Sequence, residues 1–206
     1  MATVSPLQGI ERIVLATGNP GKVRELDALL AGCGVRVLAQ ADFDVPEADE
    51  TGLSFVENAL IKARNAALHT GLPAIADDSG LEVDVLGGAP GIHSARYAGP
   101  TADDATNNHK LLAALHDHPA AARAARFRCA MVFLRHASDA SPLIAQAAWE
   151  GHILTAPAGA GGFGYDPLFF VPTAGCSAAE LDPVEKNRIS HRGQAVRALL
   201  SALTGA

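Results

Sequence analysis

The sequence predicts an α/β fold of the mixed α+β kind, a mixed and twisted β-sheet with flanking helices. Strand-like and helix-like segments alternate through the first part of the chain. Two long strand-like runs, FRCAMVFLRH (127–136) and PLIAQAAWEG (142–151), then follow one another as an expected antiparallel pair. Length sets the scale: 206 residues, 49% hydrophobic and 18% charged, suffice for a single domain with a well-buried core.

The first unit reads strand, turn, helix. IERIVLA (10–16) is a short apolar strand, and Val23, Leu26, Leu29 and Leu30 recur on one face of the helix after it. Asn19 is a good N-cap and Pro20 suits the first helical position. VRVLA (35–39) is a second strand, followed by a polar loop from Gln40 to Gly52. Ser54 and Glu57 form an S-x-x-E capping box that opens a helix to about Thr70. Its apolar face carries Phe55, Ala59, Ala63 and Ala66, and its polar face Asn58, Lys62, Asn65 and His69. PAIA (73–76) and LEVDVL (81–86) read as two strands around a D-D-S-G segment. A Gly/Pro-rich loop (87–100) leads to a helix from Thr101, which Pro119 prevents from running on. After the paired strands come a Gly-rich segment (159–167), a connection, and a last helix from Ser190 to about Leu203.

Several function classes are excluded early. No apolar run approaches the roughly 18 residues needed to cross a bilayer. MATVSPLQGIER has neither a basic start nor an apolar stretch, so no secretory signal is expected. Cys33, Cys129 and Cys176 are scattered and lack metal-type spacing, which fits reduced thiols in the cytoplasm. A net charge of −6 argues against duplex nucleic acid, so an anionic substrate needs a local positive site. The chain has four lysines, Lys22, Lys62, Lys110 and Lys186, against twelve arginines, and three of the four fall in the segments that follow.

ATGNPGK (16–22) joins a strand to a helix N-terminus, where free backbone N–H groups and the positive dipole end suit a phosphate. It is not a P-loop, because Val23 stands where Ser or Thr must ligate magnesium. The alternative is an ordinary β–α turn with Asn19 as its cap. Asp77 and Asp78 repel each other and are costly to bury without a positive neighbour, and a hard cation would supply that charge. Strand alternation sends the two side chains to opposite faces, so their roles should differ. A tight turn with both carboxylates capping N–H groups is the competing reading. Asp49 and Glu50 read first as acids complementing a helix dipole, and Lys62 as a solvated helix lysine. GAGGFGYDP (159–167) combines permissive glycines with two aromatics that can stack on a base, or is simply a hairpin loop. Ser190 caps the last helix, and His191 and Arg192 place cations in its first turn against the dipole, which invites a functional explanation.

Taken in order, LATGNPGKVREL (15–26), ETGLSFVENALIKARNAA (50–67), PAIADDSGLEVDVLGGAPGIHSARYAG (73–99), GGFGYDPLFFVP (161–172) and EKNRISHRGQA (185–195) resemble the inosine triphosphate pyrophosphatase family. Each motif alone is weak, and five in sequence are specific. The resemblance starts at about Ile10, so it implies that residues 1–9 are an extension, expected to be dispensable. The resemblance implies an elongated mixed sheet, two lobes around a central active-site cleft, a homodimer, a Mg²⁺ requirement and cleavage between the α- and β-phosphates. It implies that Thr17, Gly18, Asn19, Pro20, Gly21 and Lys22 hold the phosphates. Asp78 would ligate the metal and activate water, with Asp77, Glu50 and Lys62 completing the cluster. Asp49 stands as an alternative to Glu50 for the metal, and the choice stays open here. Ser79, Phe163, Gly164, Tyr165, Asp166, Lys186, His191 and Arg192 would form the nucleoside pocket. Inosine and xanthine carry an acceptor oxygen at position 6 where adenine carries an amine. A donor such as Arg192, or the backbone N–H groups of the FGYD loop, would therefore be satisfied by the former and left unpaired by the latter. Two other readings remain: a pyrophosphatase for other modified or pyrimidine triphosphates, and a nucleotide sensor without turnover. Paired carboxylates beside phosphates disfavour the sensor.

Overall fold

The computed structural model describes residues 6–205. The expected extension at 1–9 therefore lies partly outside the described residues. The elements in chain order are β1 (Arg12–Leu15), α1 (Pro20–Leu30), β2 (Arg36–Ala39), α2 (Phe55–Thr70), β3 (Ala74–Val83), α3 (Asp104–Ala114), β4 (Ala124–Leu134), β5 (Leu143–Ile153), β6 (Phe169–Val171), β7 (Cys176–Ser177), α4 (Pro183–Ile189) and α5 (His191–Thr204). The strands form one seven-stranded sheet in the order β2-β1-β3-β4-β5-β6-β7. β1 pairs in parallel with β2 and β3, whereas β6 pairs antiparallel with β5 and β7, so the sheet is mixed as expected. Among the described residues no helix is long and apolar enough to cross a membrane.

The residues divide into two compact units. The first holds the described chain through Asp78 together with Ala130–Gln146 and the residues from Ala195 on; the second holds Ser79–Cys129 and Ala147–Gln194. The core of the first unit is built from small side chains: Ala59, Ala63, Ala66 and Ala67 of α2 cluster with Val14, Ala74, Ala76, Ala130, Val132 and Leu134. On α1, Leu26 and Leu30 are buried as expected, but Leu29 is exposed. The core of the second unit is larger-grained, with Leu111, Leu115, Phe127, Trp149, Tyr165 and Phe169. The Phe127 and Phe169 rings lie 4.6 Å apart and those of Trp149 and Phe169 5.3 Å apart.

Helix starts follow their caps closely. Asn19 Oδ1 accepts from the Gly21 N–H at 2.8 Å, with Pro20 in the first turn. At α2 the Ser54 hydroxyl accepts from the Glu57 N–H at 3.2 Å, while Glu57 reaches back to the Leu53 N–H at 2.8 Å, one residue beyond the usual box partner. Gly71 closes α2 at φ 67, the left-handed conformation that glycine adopts freely. α3 begins at Asp104 rather than Thr101, because Asp103 and Thr106 make a reciprocal box there. Arg123 donates to the Leu115 and His118 carbonyls at 2.8 and 3.0 Å and so finishes the end of α3.

Three expectations are corrected. The D-D-S-G segment is no turn: β3 runs unbroken from Ala74 to Val83 through it. The stretch after the Gly-rich segment is no mere connection, since it forms β6, β7 and α4. Asn58 is not on a solvated face of α2 but fully buried.

Candidate active site

In the first unit, adjacent residues of β3 meet different helices. Asp77 points to α1, where Lys22 Nζ lies 2.8 Å from its carboxylate. Asp78 points to α2, where Lys62 Nζ lies 2.7 Å from it. Alternation of side chains along an extended strand produces this split, as expected. Lys62 also reaches Glu50 at 3.1 Å, so a single ammonium joins two carboxylates. Lys62 is thus no solvated helix lysine. Burial raises the Asp78 carboxyl above its ordinary range and the Glu50 charge adds to this, while Lys62 and Asn58 pull the other way. Burial alone would lower the Lys62 ammonium; Asp78 and then Glu50 outweigh it and hold the group above the usual lysine value.

Asn58 is the residue of this cluster that the sequence reading missed. Its Nδ2 donates to Asp78 at 3.4 Å and its Oδ1 accepts the Gly52 N–H at 2.9 Å. One buried carboxamide thereby ties the carboxylate on β3 to the segment that carries Glu50. Gly52 is required for this approach. A Cβ there would lie 2.6 Å from Glu57 Cβ, 2.7 Å from Asn58 Oδ1 and 2.9 Å from the Asn58 nitrogen. The signal was available: Asn58 and Lys62 are four apart on α2, hence on one face, and both face Asp78.

Between the two acids before α2, the structure brings Glu50 to the cluster and leaves Asp49 exposed. Among the described residues no three His, Cys, Asp or Glu side chains gather into a metal site. Two carboxylates are nevertheless what a magnesium ion uses when substrate phosphates complete its shell. Asp78 and Glu50, converging on one ammonium, could serve as such a donor pair.

The ATGNPGK turn differs from the expected set of free donors. Asn19 Oδ1 takes the Gly21 and Lys22 N–H groups, at 2.8 and 3.4 Å, and the Thr17 hydroxyl takes the Asn19 N–H at 3.2 Å. Lys22 is already paired with Asp77. A phosphate arriving here would exchange these bonds rather than fill vacant ones.

In the second unit, Asp166, Lys186 and Phe163 form one group. The buried Asp166 carboxylate accepts the Phe163 N–H at 2.7 Å and pairs with Lys186, whose ammonium also lies 4.8 Å from the Phe163 ring centroid. Phe163 is 72% exposed and can offer its ring to a flat base. Tyr165 cannot: it is buried among the aromatics, its hydroxyl donates to the Ser94 carbonyl at 2.9 Å, and burial raises its ionisation well above the usual tyrosine value. The second expected stacking ring is therefore a core residue. The FGYD backbone is also less free than expected, because the Gly164 N–H is held by Asp104 at 2.6 Å. Ser79 is exposed, and Arg192 is half-buried in the first turn of α5. The His191 ring stacks on Phe127 at 4.8 Å and 13°, so an aromatic face sets its orientation.

Known proteins are similar to this chain in sequence and fold. The family model described as Ham1 family matches residues 13–202. A protein of Thioalkalivibrio sulfidiphilus named dITP/XTP pyrophosphatase is 64% identical over 194 residues, 94% of this chain and 99% of that protein. One of the same name from Escherichia coli K12 is 59% identical over 194 residues, covering 94% and 98%. A solved HAM1 protein from Coxiella burnetii superposes with a TM-score of 0.92 at 49% identity, covering 96% of this chain and all of that one. Similarity of this depth spans both compact units and every segment that carries a candidate residue, and it places the chain in the Ham1 family.

Proposed function

We propose that this chain hydrolyses deaminated purine nucleoside triphosphates, of the inosine and xanthosine type, to the monophosphate and pyrophosphate, and that it requires Mg²⁺. The observation that carries the reading is Asp78: a mostly buried carboxylate 2.7 Å from the Lys62 ammonium, which joins it to Glu50 at 3.1 Å. A carboxylate so held is placed to order a water and accept its proton. Asp78 and Glu50 would hold the metal, which when bound supplies charge neutralisation at the polyphosphate. Lys62 would keep both carboxylates in place before substrate arrives. Lys22 and the Thr17 hydroxyl would exchange their present partners for phosphate oxygens, and Asp77 would return Lys22 to its resting position afterwards. Phe163 would stack on the base, with Arg192, His191 and Lys186 as donors toward its 6-oxygen. The relatives named dITP/XTP pyrophosphatase support this substrate class. The reading extends to a homodimer working in the cytoplasm.

A panel of triphosphates with pyrophosphate detection tests it, run with Mg²⁺ and with chelator. Inosine and xanthosine triphosphates should turn over at least tenfold more efficiently than adenosine, guanosine or pyrimidine triphosphates, and chelation should stop the reaction. Preference for a modified pyrimidine triphosphate would replace this reading with another pyrophosphatase. Tight binding with no pyrophosphate release would make the chain a sensor.

A further inference from the structure

The exposed Phe163 ring has a support that neither its own loop nor the hydrophobic core provides. Helix α3 lends two side chains, four residues apart and so on one face, to a single residue beside the ring. Asp104 Oδ2 accepts the Gly164 N–H at 2.6 Å, and Asn108 Nδ2 donates to the Gly164 carbonyl at 2.9 Å. Both polar groups of one peptide residue are thus held by one helix. Gly164 sits at φ 59, in the left-handed region, inside a turn closed by the Asp166 N–H donating to the Phe163 carbonyl at 3.2 Å.

The Asn108 carboxamide has a single workable orientation. Turned over, its Oδ1 would face the Gly164 carbonyl, acceptor against acceptor. As it stands, Oδ1 is buried with no hydrogen-bond partner among the described residues, an unfavourable state for a polar atom that is tolerated while Nδ2 holds Gly164. On the other side, Asp166 takes the Phe163 N–H and Lys186 lies over the ring. An aromatic ring that is mostly exposed would otherwise sample several rotamers; here the peptide beneath it is fixed by charge-assisted and amide hydrogen bonds.

We infer that Asp104 and Asn108 are positioning residues for base recognition, acting through Gly164 to hold the Phe163 ring as a preset platform for a flat heteroaromatic base. The inference rests on the substrate reading proposed above. Ordering the platform before binding removes a cost that would otherwise be met on association, so its loss should appear in KM more than in kcat.

The test uses the full-length protein with inosine triphosphate and Mg²⁺. Asp104→Ala and Asn108→Ala should each raise KM by roughly tenfold, with kcat within about twofold of wild type. Asp104→Asn keeps an oxygen facing the Gly164 N–H and should restore a KM near the wild-type value. In a Phe163→Ala background, Asp104→Ala should add less than about twofold, because the residue acts through the ring. Should Asn108→Ala fail to fold, the Asp104 series decides alone. Unchanged KM in Asp104→Ala would overturn the inference, as would an undiminished tenfold effect in the Phe163→Ala background. Both results leave the substrate reading standing. A wild-type chain that turns over no purine triphosphate would remove that reading, and the inference with it.

Discussion

Gly52→Ala should disable the enzyme although it neither adds nor removes a charge. The added Cβ would lie 2.6 Å from Glu57 Cβ, 2.7 Å from Asn58 Oδ1 and 2.9 Å from the Asn58 backbone nitrogen. Ordinary contacts begin near 3.4 Å, so the segment must retreat by roughly 0.5–1 Å, and the helix backbone on the other side cannot yield as a flexible side chain would. Overpacking of this kind costs about 1–3 kcal/mol, and losing the 2.9 Å bond between the Gly52 N–H and the buried Asn58 Oδ1 adds about 1 kcal/mol. For a chain of this length that corresponds to a fall of about 4–16 °C in Tm. The effect on activity should be larger. Glu50, two residues away, would leave its 3.1 Å contact with Lys62, and a misplacement near 1 Å can cost about a hundredfold in rate. Calorimetry and pyrophosphate release, the latter measured well below the variant's Tm, provide the two readings. Gly32→Ala is the control, since nothing lies within 4 Å of its would-be Cβ and its φ is not positive. If Gly52→Ala keeps wild-type kcat, the coupling of this segment to Asp78 through Asn58 is wrong.

Asp78→Asn should lower kcat by about 10²–10⁴-fold while Tm holds steady, because the amide keeps the shape and loses the charge that orders water and metal; near-normal turnover would remove Asp78 from its role. Lys22→Ala should cost stability as well as binding, because Asp77 has only 3% of its side chain exposed and loses its cation. The loss should be about 1–3 kcal/mol, less than for a fully buried pair since Lys22 is partly solvated, and Asp77→Asn added to it should restore Tm but not KM. Acid should loosen the segment after β4. Hydrogen bonds from Arg135 hold the buried Asp139 carboxyl well below the usual carboxylate range, so its contribution is complete above about pH 4 and is lost as pH falls below that. A plot of Tm between about pH 7 and pH 3 should fall more steeply for wild type than for Asp139→Asn, and parallel curves would refute this.

Local signals carried much of the fold. The Asn19-Pro20 start of α1 and the Ser54/Glu57 start of α2 were legible because capping is a contest settled within four residues. From sequence alone β3 reads as two strands because Asp, Ser and Gly favour turns, and what overrules that preference is remote. Lys22 is 55 residues from Asp77 and Lys62 is 16 from Asp78, and their charges make both carboxylates tolerable in a strand. α4 has its own marker in the sequence, Asp182 before Pro183, a cap and first-turn proline like that of α1. The acid pair at 49–50 was undecidable from spacing alone, since choosing Glu50 depends on where Gly52 and Asn58 pin the segment. Tyr165 failed for the opposite reason: an aromatic in a glycine-rich loop looks available until the Ser94 carbonyl and the surrounding core are known.

The alanines of α2 amount to a gauge for the chemistry. Ala59, Ala63, Ala66 and Ala67 cluster with Val14, Ala74, Ala76, Ala130, Val132 and Leu134, a contact in which short side chains predominate. Small residues let a helix settle close to a sheet, and the reach of Asn58 and Lys62 to Asp78 depends on that closeness. Thickening this layer by a single valine or leucine would lift the whole helix and draw both polar groups off the carboxylate together. In the first unit, then, the calibre of the apolar layer sets the distance at which the charges meet, and catalytic competence is dimensioned from the side of the helix that never touches substrate.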